Sequence, residues 1–110
     1  MNWTVTVDER LEDWLNGIPK DMKARIINIV GLLIEHGPQN VREPYVKHIT
    51  GKLFEIRAKG KDGIARVFYF AMTQQRIVLV HGFIKKTQKT PKREIETAIA
   101  RMKEVLEAQA

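Results

Sequence analysis

Two arginines are the residues of this chain whose type and position most clearly suggest chemistry. Arg66 interrupts the otherwise apolar segment IARVFYF, and Arg57 lies in the alternating segment KLFEIRAK. A charge in a buried strand is costly unless it is paired or faces an open concave surface. Arg66 is therefore predicted either to pair with Glu55 or Asp62, or to bind an anion. Two guanidinium groups on neighbouring strands suit a phosphodiester, because each can form forked, charge-assisted hydrogen bonds.

A second basic cluster lies in the stretch HGFIKKTQKTPKREIETA, which joins an apolar run to an amphipathic helix. Helix N-termini favour acidic residues in the first turn. This joint instead carries Lys85, Lys86, Lys89, Lys92 and Arg93. Lysines together with free backbone N–H groups form a cradle for an anion. Alternation along a strand sends Lys85 and Lys86 to opposite faces, so only one can reach a shared site. The sequence leaves open which one.

The positive charge is confined to the middle of the chain. Residues 1–40 have a net charge of −2, residues 41–93 of +10 and residues 94–110 of −2, which sum to +6. Such a block indicates a polyanion or an acidic protein as partner. The alternative is a solvated surface that serves only solubility.

Several other classes of site are not supported. The chain has no cysteine, which excludes disulfides and thiolate metal sites. No pair of histidines has metal-ligand spacing, so we predict no metal and no cofactor. The N-terminus lacks the pattern of a signal peptide. The longest apolar-rich run, IINIVGLLI, is too short to span a bilayer. We expect no membrane association and a cytoplasmic location.

The first half of the chain is predicted to form a strand and two helices. WTVTV alternates as a half-buried strand does, and Asp8 is placed to cap a short helix after it. A second helix is predicted after Pro19, and HGP ends it. Its apolar face, with spacings of four, three and four, consists of Met22, Ile26, Ile29 and Leu33.

The second half is predicted to form strands followed by a helix. A polar connector at 39–52 holds a short edge strand at YVKHI, and the strands KLFEIRAK, IARVFYFAM and RIVLVHGFI then form an antiparallel meander. Thr90 is predicted to cap the last helix and Pro91 to occupy its first position. We predict one α+β domain over residues 1–110 with the order β-α-α-β-β-β-α, a curved antiparallel sheet and the helices packed on one face.

The ordered segments LFEIR, IARVFYF and HGFIKKTQKTPKREIETAIARM resemble the RelE/ParE toxin superfamily, most of all its HigB-like, phage-derived branch. The resemblance covers nearly the whole chain and implies a RelE-like fold. It also implies a toxin of a type II toxin–antitoxin system, a ribosome-dependent endoribonuclease that cuts mRNA in the A site. In such enzymes the 2′-hydroxyl of the RNA attacks the adjacent phosphate. The implied partners are a cognate helix-turn-helix antitoxin, the ribosome and mRNA.

The resemblance also implies roles for residues. The matching basic positions, expected to stabilise negative charge on the phosphorane, are Arg57, Arg66, Lys85 and Lys86. The residues expected to contact RNA are Lys52, Lys59, Lys89, Lys92, Arg93, Tyr69 and His81. No acid or base is secure, although His81 and Tyr69 are candidates, and His81 can equally be a satisfied core histidine. Tyr45 and Tyr69 are candidates to stack on a base. Two alternatives remain: a ParE-like DNA gyrase inhibitor without nuclease activity, and a non-toxic nucleic-acid-binding phage protein.

Overall fold

The computed structural model describes residues 2–87 and 89–109, so residues 1, 88 and 110 of the predicted domain lie outside the described part. The described residues form an α+β fold, which confirms the predicted class. Its elements are β1 (Thr4–Val7), α1 (Glu9–Gly17), α2 (Lys20–His36), a short 3-10 turn (Pro38–Asn40), β2 (Val46–Thr50), β3 (Leu53–Gly60), β4 (Gly63–Met72), β5 (Arg76–Lys85) and α3 (Lys92–Ala108).

The five strands form one mixed sheet in the order β1-β5-β4-β3-β2. Strands β3 to β5 are the predicted antiparallel meander, and the predicted edge strand β2 pairs with β3, so four antiparallel strands follow α2 where the predicted order β-α-α-β-β-β-α has three. Strand β1, in contrast, runs parallel to β5, so the prediction of a wholly antiparallel sheet is wrong at this edge. Because two helices separate β1 from the strands that follow, no hairpin turn fixes its direction.

Helices cover both faces of the sheet, which corrects the prediction that all of them lie on one face. Helices α1 and α2 pack on one face, where the apolar side of α2 is buried against residues such as Val67 of β4. Helix α3 packs on the other face, against Phe68, Phe70 and Val80. Apart from Arg66, strand β4 is apolar on both sides, and such a strand needs cover on each face.

Two local features fix α1 against the sheet. Asp8 caps the helix as predicted, since its Oδ1 accepts a hydrogen bond from the backbone N–H of Arg10 at 2.9 Å. Trp14 lies directly over Gly82 of β5, where a Cβ atom would come within 2.6 Å of the indole ring. A glycine at this position therefore allows the helix to approach the strand closely.

The start of α3 differs from the prediction. The helix begins at Lys92 with Pro91 at its N-cap, and no capping side-chain hydrogen bond is found among the described residues. The hydroxyl of Thr90, predicted to cap the helix, bonds to Glu55 and Arg66 of the sheet instead. Across residues 2–87 and 89–109, no helix has the length and apolar character needed to cross a bilayer.

Candidate functional site

The strand register brings four of the basic side chains to one face of the sheet. Arg57 of β3 lies opposite Arg66 of β4. In the next register position on this face, Lys59 of β3 and Lys85 of β5 flank Ile64 of β4. Since alternate positions of paired strands point the same way, these four cations share the face on which α3 packs.

A β-bulge decides which of the two adjacent lysines belongs to this face. Phe68 pairs with His81, whereas the next residue of β4, Tyr69, pairs with Leu79. Val80 is therefore the extra residue, and the alternation of β5 changes phase after it. As a result Lys85 shares the face of the arginines, whereas Lys86 follows the strand. Lys86 lines a depression of about 450 Å³ at the β3–β4 turn, together with Lys59 and Ile64.

A buried carboxylate organises the two arginines. Glu55 is 0% exposed, and its Oε1 accepts a hydrogen bond from Arg57 Nε at 2.8 Å. Its Oε2 accepts a hydrogen bond from the hydroxyl of Thr90 at 2.8 Å. The same hydroxyl accepts a hydrogen bond from Arg66 Nη1 at 2.9 Å. Glu55 thus holds one guanidinium directly and the other through Thr90, and the group of two arginines and one glutamate carries a net charge of +1.

Arg66 is buried, which corrects the expectation that it faces an open anion site. The residue is 0% exposed, its Nη2 donates to the carbonyl of Thr87, and its guanidinium lies 5.8 Å from the ring centre of Phe83. Burial lowers the pKa of Arg66, the charge of Glu55 opposes this change, and the nearby charge of Arg57 adds to it. Arginine nevertheless stays protonated. Arg66 therefore contributes charge beneath the surface, and the predicted structural pairing with Glu55 exists through Thr90.

His81 makes the kind of contact expected of a satisfied histidine. Its Nε2 lies 2.7 Å from Oε1 of Glu94, and its ring stacks on Phe68 with a centroid distance of 6.0 Å. The pair joins β5 to the first turn of α3. Because His81 follows the bulge, it lies on the same face as Arg57 and Arg66.

The open edge of β3 forms a cleft next to this face. Strand β2 pairs with β3 only as far as Ile56, and after the bond from the N–H of Arg57 to the carbonyl of Tyr45 no strand of the described residues pairs with this side of β3. The cleft has a volume of about 380 Å³ and is lined by Arg25, Glu43, Pro44, Tyr45, Arg57, Lys59 and Ile64.

Two of the predicted RNA-contacting residues lie away from this region. Lys52 lies in the β2–β3 turn, and seven residues of extended strand, about 23 Å at roughly 3.3 Å per residue, separate it from Lys59. Tyr69 is fully buried on the opposite face, where its ring stacks on Phe54 and burial raises the pKa of its hydroxyl. The prediction that Tyr69 contacts RNA is therefore wrong in this structure, whereas contact of the exposed Lys52 with RNA stays a prediction.

The other cations of the predicted set are exposed. Lys89 lies in the β5–α3 loop, and Lys92 and Arg93 begin α3. Their contact with RNA stays a prediction. Prediction from sequence missed two site roles, that of Thr90 as the link between Glu55 and Arg66 and that of Arg25 in the lining of the cleft. The position of Glu55, two residues before Arg57 on the same strand face, was a usable signal that these two side chains pair. No comparable signal pointed to Arg25, which lies in the acidic segment 1–40.

No group of three or more His, Asp or Glu side chains is arranged to hold a metal ion within the described ranges, 2–87 and 89–109.

Comparison with solved structures defines the class of fold. The structure is similar to a RelE–RelB complex from Pyrococcus horikoshii OT3, with a TM-score of 0.56 and 25% identity over 76% of this chain and 96% of that one. It is also similar to a mutant of the E. coli toxin RelE in the free state, with a TM-score of 0.65 and 11% identity over 93% of this chain and 99% of that one. The fold is therefore RelE-like.

Comparison of sequences defines the family. Residues 13–103 match the family described as Phage derived protein Gp49-like (DUF891), and the chain belongs to this family. Its relatives include the "Probable endoribonuclease HigB1" of two Mycobacterium tuberculosis strains. Each is 40% identical over 58 residues, which are 53% of this chain and 46% of the relative. The chain thus matches about half the length of these curated relatives.

Proposed function

We propose that this protein is the toxin of a type II toxin–antitoxin system and that it acts as an endoribonuclease on mRNA. The proposal is supported by membership of the Gp49-like family, by the RelE-like fold and by the 40% identity to HigB1. The observation that carries it is the convergence of Arg57, Lys59 and Lys85 on one sheet face, above the buried Arg66. Such a surface fits a phosphodiester.

The proposed reaction is attack by the 2′-hydroxyl of the RNA on the adjacent phosphate. The oxygen–phosphorus bond forms as the bond to the 5′-oxygen of the next nucleotide breaks. The products are a 2′,3′-cyclic phosphate and a 5′-hydroxyl. Negative charge gathers on the phosphorane, where donors held in place in advance stabilise it. Arg57 is such a donor because Glu55 fixes its guanidinium. Lys85 and Lys59 are the neighbouring exposed cations.

The remaining residues have supporting roles in this proposal. Arg66 is a positioning residue that ties the β5–α3 loop to the sheet and raises the local positive potential. The pair His81 and Glu94 is the candidate for proton transfer. Since the other carboxylate described on this face, Glu55, is buried and hydrogen-bonded to Arg57 and Thr90, we propose that the ribosome positions the mRNA for cleavage in the A site. The solved RelE–RelB complex supports an antitoxin as a further partner, which we propose is a helix-turn-helix protein acting in the cytoplasm.

The experiment that tests the function is mapping of RNA 5′ ends after induced expression in a bacterial host. We expect growth arrest and new 5′ ends within translated codons. Intact transcripts together with arrested DNA replication would instead favour a gyrase inhibitor and overturn the nuclease proposal.

Adjacent lysines provide a matched pair of variants for the same assay. Lys85→Ala removes a donor from the face of the arginines and is expected to lower cleavage by ~10²-fold or more, as loss of one transition-state donor does. Lys86→Ala removes the same charge one residue beyond the strand, outside the register that aligns Lys85 with the arginines, and is expected to have a smaller effect. Because both side chains are exposed, stability should change by less than about 0.5 kcal/mol in either variant. Equal effects would contradict the assignment.

A further inference from the structure

We propose that the cleft at the open edge of β3 binds one nucleotide of the RNA next to the scissile bond, with its base stacked on Tyr45 and its phosphate held by Arg25 and Lys59. This inference rests on the proposed function, and it adds a site that holds the substrate rather than cleaves it.

The first observation is an exposed aromatic ring on a fixed backbone. Tyr45 is 47% exposed, although its large apolar ring would gain from burial. Its carbonyl accepts a hydrogen bond from the backbone N–H of Arg57 at 2.8 Å, and its own N–H donates to the carbonyl of Arg42 at 3.0 Å. A ring that is anchored at its backbone and exposed at its face is suited to stack on a nucleobase, because every base has a flat π-face.

The second observation is the charge of the cleft. Its lining carries three cations, Arg25, Arg57 and Lys59, against one acid, Glu43. The cations come from α2 and β3, which are distant in sequence, so the folded chain collects them around the aromatic ring. Cations beside an aromatic platform are the combination with which proteins hold single-stranded nucleic acid.

The third observation is continuity with the proposed active face. Arg57 lines the cleft and also lies opposite Arg66 on the sheet. A strand of RNA that lies across the sheet face can therefore continue around the edge of β3 into the cleft. The volume of about 380 Å³ is within the range of pockets that hold small ligands, roughly 300–1,000 Å³.

The single acid of the lining suggests which bases fit. An ionised carboxylate only accepts hydrogen bonds, so Glu43 suits a base that carries an amino group. Adenine, guanine and cytosine have such a group, whereas uracil offers a ring N–H but no amino group.

The test is a fluorescence titration of the purified full chain with short RNAs that carry 2-aminopurine at successive positions. The fluorescence of this base falls when it stacks on an aromatic ring, and the base carries an amino group that suits Glu43. Sugars with 2′-fluoro groups lack the attacking hydroxyl, so the RNA stays intact. We expect saturable quenching with the wild type for at least one probe position.

Variants at Tyr45 separate stacking from other contacts. Tyr45→Ala is expected to weaken binding about 10-fold, the typical effect of losing one stacked base, whereas Tyr45→Phe keeps the ring and should bind like the wild type. Arg25→Gln should also weaken binding and reduce its salt dependence by about one phosphate contact. Lys103→Gln removes an exposed charge on α3 and is the control.

Several outcomes would overturn the inference: no quenching at any probe position, equal affinity of Tyr45→Ala and the wild type, or a Tyr45→Ala variant that loses affinity for an antitoxin but not for RNA. Mapping of RNA ends in cells, done in parallel, separates this result from the proposed function. If the wild type cleaves RNA in cells but the Tyr45→Ala variant binds RNA with the same affinity as the wild type, the proposed role of the cleft is refuted and the nuclease proposal stands. If RNA binding depends on Tyr45 but no RNA is cleaved in cells, the nuclease proposal is refuted and the proposed role of the cleft stands.

Discussion

Replacement of Glu55 by glutamine tests whether one buried carboxylate balances the two arginines. The variant Glu55→Gln keeps the size of the side chain and an oxygen acceptor, but removes its charge. Hydrogen bonds to a charged partner contribute about 1.5–3 kcal/mol, against about 1 kcal/mol for neutral ones, so the weaker bonds to Arg57 and Thr90 together cost about 2 kcal/mol. The loss of the countercharge between Arg57 and Arg66 adds to this. We expect a total near 3 kcal/mol, the lower end of the range for a broken buried pair, because Arg57 is 19% exposed.

The free energy of unfolding is measured by urea denaturation and checked by thermal melting. For a domain of about 100 residues, about 3 kcal/mol corresponds to a melting temperature lower by about 12 °C or more. The matched control is Glu104→Gln, which breaks the exposed ion pair with Arg10 and should cost less than about 1 kcal/mol.

The result that refutes this reasoning is a Glu55→Gln variant whose stability lies within about 0.5 kcal/mol of the wild type, the range of ordinary surface substitutions. If Glu55→Gln does not fold, Thr90→Val tests the same network, since it removes only the bridging hydroxyl. Its expected cost is about 1–3 kcal/mol, because the buried Glu55 loses a partner. An unchanged stability of Thr90→Val contradicts the bridging role.

Three further substitutions test other parts of the structure. Gly82→Ala places a methyl group within 2.6 Å of Trp14 and should cost about 1–3 kcal/mol in urea denaturation; a neutral result contradicts the close approach. Tyr69→Phe removes a buried hydroxyl without a hydrogen-bond partner in the described residues, so stability should hold or rise and RNA cleavage should be unchanged. The hydrogen bond from the Arg10 side chain lowers the pKa of Asp8 below 3.8, so its stabilisation is present above that pH and is lost as the pH falls through the lowered value. The stability difference between the wild type and Asp8→Asn should therefore shrink in acid, and a constant difference refutes this account.

Local patterns in the sequence predicted the elements well. The four apolar positions of α2 are all buried, and Asp8 caps α1, because helix periodicity and capping depend on residues a few positions apart. The meander of β3 to β5 followed from the short turns between its three strand segments. The apolar character of β4, apart from Arg66, also contained the signal for helices on both faces, which the prediction of a single covered face overlooked.

The candidate site was predicted in part. Arg57 and Arg66 are neighbours, as alternation on adjacent strands predicted. The choice between Lys85 and Lys86 could not follow from alternation, because a single extra residue at Val80 reverses the faces of all later residues of β5. A bulge depends on pairing with β4, which is not a local property of the segment.

The sequence by itself determined which residue types are present, which segments form helices and strands, and that the middle of the chain carries the positive charge. Only the tertiary structure decided that Arg66 is buried and that Thr90 links it to Glu55. It also decided that Tyr69 lies in the core while Tyr45 faces a basic cleft with Arg25. The physical reason is the range of the interactions. Periodicity and capping act within a few residues, whereas burial and charge pairing are set by side chains that the folded chain brings together from distant elements.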